Sequence, residues 1–181
     1  LIDCDLRLPK IDRLLETVAI PGVSNVLVGL STIDEAIRHT EHSGLDVLLS
    51  GIIPPNPSEL IGSSKMRDML SCLKSRYDYI LIDTPPINVV SDAIVLSEHL
   101  SGIVIIVRAG VANRDSVRYT LEHLEFANAN ILGFLLNGVS NIKSDRVRKY
   151  SRLYDRYYRY SGVNITAEIK KQKDELENSL T

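Results

Sequence analysis

The sequence predicts a doubly wound α/β fold built on a mostly parallel sheet. Three features lead there: short runs rich in Ile, Val and Leu recur along the chain, stretches of helical period separate them, and two of the runs end on Asp. Strands covered by helices on both faces read as unbroken apolar runs, because neither face needs polar residues. The expected strands are Leu1 to Ile2, Leu45 to Leu49, Tyr79 to Ile82, Gly102 to Val107 and Ile131 to Leu136, in a central sheet buried on both sides.

The helices between them carry their own signals. Thr32-Ile33-Asp34-Glu35 has the form of a capping box, in which the Thr hydroxyl and the Glu carboxylate satisfy free backbone N–H groups reciprocally. Asn56-Pro57-Ser58-Glu59 opens the clearest helix, with Pro in the first turn where its missing N–H costs nothing, and Leu60, Met66, Leu70 and Leu73 form its apolar face. Val117, Leu121 and Leu124 mark the core stripe of a helix between the last two strands.

Bulk properties narrow the class. At 181 residues the chain fits one globular domain, and a formal net charge of -2 gives no electrostatic case for nucleic acid as a partner. Cys4 and Cys72 do not make a disulfide framework, which fits a reducing cytoplasm. No apolar run approaches the roughly 20 residues that cross a bilayer, so this stretch reads as soluble. His39 and His42 flank Glu41 without a further ligand at zinc spacing, and no Gly-x-Ser-x-Gly elbow suggests a hydrolytic nucleophile. Leu1 opens directly into an apolar-acidic run, as though in mid-strand, and the chain reads as an N-terminally truncated fragment.

The acidic strand ends carry the chemistry. In Tyr79-Ile80-Leu81-Ile82-Asp83-Thr84-Pro85-Pro86, one carboxylate emerges where a buried strand ends, the Walker B arrangement, and an Asp so fixed can hold Mg²⁺ beside nucleotide phosphates. In Leu1-Ile2-Asp3-Cys4-Asp5-Leu6-Arg7-Leu8-Pro9, Asp3 and Asp5 lie two apart in extended chain, so both leave on one face and call for a cation; Arg7 is expected to pair with either acid. A polar loop with an Asp–Arg ion pair is the plainer alternative for this string. A phosphate cradle of the form G-x-x-x-x-G-K-[ST] is absent, since no Gly is followed by Lys; truncation upstream explains this more simply than loss of function.

Three strings in order, Leu-Ile-Asp-x-Asp-x-Arg-x-Pro from Leu1, Gly51-Ile52-Ile53-Pro54-Pro55-Asn56-Pro57-Ser58-Glu59-Leu60, and Ile80-Leu81-Ile82-Asp83-Thr84-Pro85-Pro86, closely resemble the bacterial tyrosine kinases that control capsule and exopolysaccharide assembly. Ser91-Asp92-Ala93 and Leu136-Asn137 look like that family as well, and the resemblance runs from Leu1 to about Gly162. It implies a deviant-Walker P-loop NTPase domain over residues 1–145 that lacks its first strand, phosphate loop and first helix. It also implies ATP and Mg²⁺ as cofactors, Asp3 and Asp83 as the Mg²⁺ organisers, Asp5 as acceptor of the tyrosine hydroxyl proton, and Asn137 beside the adenine. An Asn ending a strand is otherwise an ordinary turn former. The segment alone is expected to be inactive and poorly stable.

The C-terminal region departs in composition. Tyr150, Tyr154, Tyr157, Tyr158 and Tyr160 crowd residues 146–162, and over residues 146–160 six Arg and Lys against Asp155 leave +5. Each phosphotyrosine would add about -1.5 to -2, enough for the five together to reverse that charge. The resemblance implies autophosphorylation of this tail in trans by a neighbouring subunit of a ring-shaped homo-oligomer. It further implies a membrane-embedded activator, fused upstream or separate, a cognate tyrosine phosphatase, and the polysaccharide export machinery as partners, at the cytoplasmic face of the plasma membrane. Stacking on nucleic acid or contact with anionic lipid are the other readings of interleaved aromatic and basic residues. Residues 163–181 form a charged extension with a weak apolar stripe at Ile169 and Leu176. Two other functions compete with the kinase: a spatial-organisation ATPase of the septum-placement or partition type, and a non-catalytic adaptor of the export machinery.

Overall fold

The computed structural model describes residues 1–139; the tyrosine-rich tail and the charged extension lie outside the described residues. The elements in order are β1 (Ile2–Asp3), α1 (Ile11–Leu14), α2 (Val23–Leu27), α3 (Ile33–Ala36), β2 (Ile37–His39), β3 (Asp46–Leu48), α4 (Pro57–Ile61), α5 (Ser64–Lys74), β4 (Ile82–Asp83), α6 (Asp92–Ser97), β5 (Ile103–Arg108), α7 (Arg114–Phe126) and β6 (Ile131–Asn137). One sheet has the order β2-β3-β1-β4, with β1 parallel to both neighbours and β2 antiparallel to β3; β5 and β6 form a separate parallel pair. The fold is mostly parallel α/β, as the strand composition predicts.

The core lies between the larger sheet and its helices. Ile2, Cys4 and Leu6 pack with Val23, Leu27, Ala36, Leu48, Ile61, Leu96 and four residues of α5, Met66, Met69, Leu70 and Leu73. Asp3 and Asp5 fall between those first three core residues, so period-two alternation keeps the acids off the apolar side. The capping box at Thr32 forms as expected: its hydroxyl accepts the Glu35 N–H while Glu35 Oε2 accepts the Thr32 N–H at 2.8 Å.

Three expectations are corrected, and one strand was not foreseen. The helix opening at Asn56 is two helices, because Ser63 turns extended after Gly62 and caps a new start by accepting the Met66 N–H. Gly62 suits that break, since a Cβ there would come within 3.0 Å of Val95 Cγ1. Asn56 stands at the cap position, but its side-chain oxygen accepts no helix N–H; instead its side-chain amide donates to Glu59 Oε2 at 2.6 Å. Strand β2 carried too short a run, Ile-Arg-His, to read as a strand, and it is pinned only by pairing with β3. Finally, the apolar runs are not covered on both faces: Val104, Ile106, Leu132 and Phe134 of the β5–β6 pair are at least half exposed, as are Tyr79 and Leu81 leading into β4.

The carboxyl end of β3 is clamped to the start of α2 by two backbone hydrogen bonds and the Asn25 side chain. Val23 N–H donates to Leu49 O at 2.7 Å and Ser24 N–H to Ser50 O at 3.0 Å, while Asn25 Oδ1 accepts the Gly22 and Ile52 N–H groups. A Cβ on Gly22 would lie 2.3 Å from both Leu49 O and Gly51 N. Those atoms are backbone and cannot swing aside. Gly22→Ala is therefore expected to destabilise by about 3 kcal/mol, the upper end of overpacking costs. Gly44, at φ +80° with open space around it, should lose only about 1 kcal/mol on the same change. Urea unfolding of the two variants checks the contrast, and equal losses would mean the clamp can yield.

A candidate metal–nucleotide site at the strand ends

Strands β1 and β4 are in parallel register with Asp3 aligned on Asp83, and both residues are the last of their strands. Ile2 N–H donates to Leu81 O and Cys4 N–H to Asp83 O, each at 2.8 Å, so the ladder itself holds the two carboxylates side by side. Asp5 follows in the loop after β1. Its N–H donates to Asp3 Oδ1 at 3.1 Å, and its own Oδ1 accepts the N–H groups of Arg7 at 3.3 Å and Leu8 at 3.0 Å. Each Asp thus folds the next two or three residues around itself, the local turn habit of this side chain.

The electrostatics follow from burial and crowding. Asp3 is only 1% exposed, and its carboxyl is raised to about 7, by burial first, with the Asp83 and Asp5 charges adding and the Asp5 N–H opposing. Burial also raises Asp5, against the Leu8 and Arg7 N–H bonds; Asp83 raises it further and Lys10 pulls it down. Asp83 is exposed at the sheet's edge, yet the protein packed about its carboxyl raises it too, with Lys10 again opposing. The neighbouring Cys4 thiol is fully buried and pushed well above its ordinary value by burial and by the Asp3, Asp83 and Asp92 charges, which leaves it inert.

Asp3 Oδ2 is buried and has no hydrogen-bond partner. A carboxylate oxygen so placed, facing a second acid in register, fits a hard cation. Among the described residues no group of three or more His, Cys, Asp and Glu side chains is close enough to form a metal cage. Mg²⁺ takes one or two carboxylates and fills its remaining positions with phosphate and water oxygens. Asp3 and Asp83 therefore fit a Mg²⁺ ion.

Of the predicted acids, Asp3 and Asp83 are register neighbours in the β1–β4 ladder, and Asp5 is tied to Asp3 through its backbone N–H. Asn137 sits elsewhere, exposed at the carboxyl end of β6 and paired with Arg108, its carbonyl accepting the Ala109 N–H at 2.9 Å. The five tail tyrosines lie outside the described residues. Arg7 is a correction: its guanidinium pairs with neither acid of its own string and reaches instead to Asp92, with Nε 3.2 Å from Oδ2, and to Ser58 Oγ at 2.8 Å. Lys10 is a residue the sequence reading missed. Its position just beyond Pro9 in a loop carries no signal, and only the folded loop brings its charge to bear on Asp5 and Asp83.

No protein-family model matches the chain. It is 33% identical over 139 residues to the tyrosine-protein kinase ptk of Acinetobacter johnsonii, covering 77% of this chain and 19% of that protein. To the tyrosine-protein kinase YwqD of Bacillus subtilis it is 34% identical over 138 residues, covering 76% of this chain and 58% of YwqD. The chain thus spans about a fifth of the longer curated relatives and under three fifths of this shorter one. Among solved structures, the VpsO kinase domain superposes with a TM-score of 0.73 at 36% identity, over 77% of this chain and 69% of that one. The cell-division ATPase MinD of Pyrococcus furiosus shares the fold at a TM-score of 0.57 and 22% identity, over 83% of this chain and 65% of that one. No helix among the described residues is long and apolar enough to cross a membrane.

The raised Asp3 carboxyl carries a pH signature. With a folded value of about 7 against an ordinary 3.8, the folded metal-free protein keeps a proton that the unfolded chain has released. The stability so contributed is whole below the ordinary value and is lost as pH rises through the folded one. Thermal unfolding with chelator present should give a Tm that falls between about pH 4 and about pH 7 and then levels off. Asp3→Asn should flatten that fall and melt higher than the native protein at the alkaline end. Parallel profiles for the two proteins would remove Asp3 as the source.

Proposed function

The chain belongs to the bacterial tyrosine-kinase family of capsule and exopolysaccharide biosynthesis, and from that premise we propose that it serves an ATP-dependent protein-tyrosine autokinase regulating polysaccharide polymerisation and export. One observation carries the site: Asp3 and Asp83 are aligned in a single parallel ladder, with a buried, unpartnered oxygen on Asp3. In this reading Asp3 and Asp83 hold Mg²⁺, and Asp5 accepts the hydroxyl proton of the attacking tyrosine. When bound, ATP with Mg²⁺ supplies the phosphoryl group and neutralises the charge that gathers on it.

The chain's own part is placement and proton handling. Asp5 is held by two backbone N–H groups, so its carboxylate does not wander as the tyrosine approaches. Lys10 favours the ionised, proton-accepting form of Asp5. The phosphoacceptors proposed are Tyr150, Tyr154, Tyr157, Tyr158 and Tyr160, set among six bases that phosphorylation would outweigh. Adenine contact by Asn137, a ring-shaped homo-oligomer with trans phosphorylation, a membrane-embedded activator, a cognate phosphatase and a place at the cytoplasmic face of the membrane belong to the same proposal. The similarity to tyrosine-protein kinases and the charge logic of the tail support it.

The test incubates the full-length protein with Mg²⁺ and γ-labelled ATP and maps the phosphate by mass spectrometry, in native and Asp83→Asn forms. Label on residues 150–160 should fall at least about a hundredfold in the variant, the scale of losing a metal's charge stabilisation. ATP turnover without tyrosine label would favour a spatial-organisation ATPase instead, and no turnover in the native protein would leave an adaptor.

A further inference from the structure

The acids are not the only polar groups gathered at this end of the sheet. Arg7, in the loop after β1, Ser58, in the first turn of α4, and Asp92, the first residue of α6, meet across separations of 51, 85 and 34 residues. The contacts close a ring. Arg7 Nε donates to Asp92 Oδ2 at 3.2 Å, Arg7 Nη2 donates to Ser58 Oγ at 2.8 Å and to Asp92 Oδ1 at 3.4 Å, and Ser58 Oγ donates to Asp92 Oδ1 at 2.5 Å. Asp92 is wholly buried and the Arg7 side chain is 13% exposed.

Such a ring is costly to build from two charges and a hydroxyl. A buried ion pair seldom stabilises more than apolar packing of the same volume would, so its use here is to specify one geometry. The geometry it specifies is local. Arg7 is the residue whose backbone N–H grips Asp5 Oδ1, and its side chain is the one gripped by α4 and α6. The loop bearing Asp5 is thus bolted to two helices through one residue. Three strings of the sequence, the acidic Arg-Pro string, the Pro-Pro-Asn-Pro-Ser-Glu string and Ser91-Asp92-Ala93, converge here through one side chain each.

We propose that Ser58 and Asp92 are positioning residues that act through Arg7 to hold Asp5 in its working orientation. In catalytic terms this rests on the kinase reading above, with Asp5 as proton acceptor; in structural terms it does not. Neither Ser58 nor Asp92 needs to touch a substrate for this. Their role is to remove the freedom of a loop whose acid must meet a mobile tyrosine hydroxyl.

Ser58→Ala is the variant of choice, since it removes one hydroxyl and leaves the Arg7–Asp92 pair, whereas Asp92→Ala would bury an uncompensated guanidinium and endanger folding. In the full-length protein, Ser58→Ala should lower kcat for tyrosine phosphorylation about tenfold with KM for ATP nearly unchanged, the size of one lost hydrogen bond's restraint. Ser58→Thr, which keeps the hydroxyl, should restore kcat. In an Asp5→Asn background the Ser58→Ala effect should vanish, because its only route to the chemistry is gone. A second readout does not need catalysis: hydrogen exchange at the Arg7 and Leu8 amides should quicken about tenfold in Ser58→Ala, while α5 amides keep their native rates. Unchanged exchange at those two amides, or an Ser58→Ala loss that adds in full to that of Asp5→Asn, overturns the proposal. A native protein that labels no tyrosine sinks the kinase reading instead, and the exchange rates still decide the positioning network.

Discussion

Asp3 and Asp83 face each other in one ladder, so the carboxyl end of the sheet concentrates like charge where water is scarce. The strand pairing leaves them no way apart: the register that puts Ile2 against Ile82 puts Asp3 against Asp83. The same strand delivers Ile2, Cys4 and Leu6 to the core, and slipping it by one residue would exchange those apolar side chains for the acids. Core packing therefore enforces the repulsion. The raised Asp3 carboxyl records its burial first and that repulsion second: without a cation the group keeps its proton up to about pH 7.

What tempers the conflict is mostly backbone. The N–H groups of Asp5, Arg7 and Leu8 turn inward onto Asp3 and Asp5, and a loop that supplies its own donors can carry charge in a dry place. Lys10 is the cation that bears on Asp5 and Asp83, and it stays exposed. Arg7 is spent on Asp92 and Ser58 instead. A guanidinium lodged between Asp3 and Asp83 would have relieved the repulsion and filled the place of a metal. Sending it outward leaves the Asp3 oxygen unpartnered, which is what a metal-dependent site requires.

The parts legible in the sequence were those set by local chemistry. An unbroken apolar run ending on Asp specifies a strand end and an acid at once, so Asp3 and Asp83 were readable before any pairing was known, and Thr32 with Glu35 announced a helix start. What escaped was set at a distance. Nothing near Arg7 indicates that its partner lies 85 residues on, and two acids within four positions make a nearer pairing the natural expectation. Strand β2 exists only because β3 offers an edge. The break at Gly62 and Ser63 hides inside an apolar face that keeps helical spacing across it, because Ile61 and Met66 serve the same core from two helices. The runs of β5 and β6 misled in another way: apolar composition marks a strand, but only three-dimensional packing decides how many of its faces are covered.

The proposed proton acceptor shows why a strained acid cluster is worth keeping. An ordinary aspartate is a poor base for a tyrosine hydroxyl, whose own value is near 10, about six units above it. Burial and the Asp83 charge move Asp5 upward and narrow that gap, while its two N–H donors and Lys10 hold it back from neutrality. The balance matters in both directions: a carboxyl raised too far would arrive already protonated, and one left at the ordinary value would gain little from the proton. Even when raised it remains a weak base, so proton transfer must come late, after the phosphoryl group has begun to make the proton on the tyrosine oxygen it joins more acidic. An acid that acts late must already be in place when its moment comes. For that reason the restraint on the loop, and the distant residues that supply it, weigh more in this site than the strength of any single base.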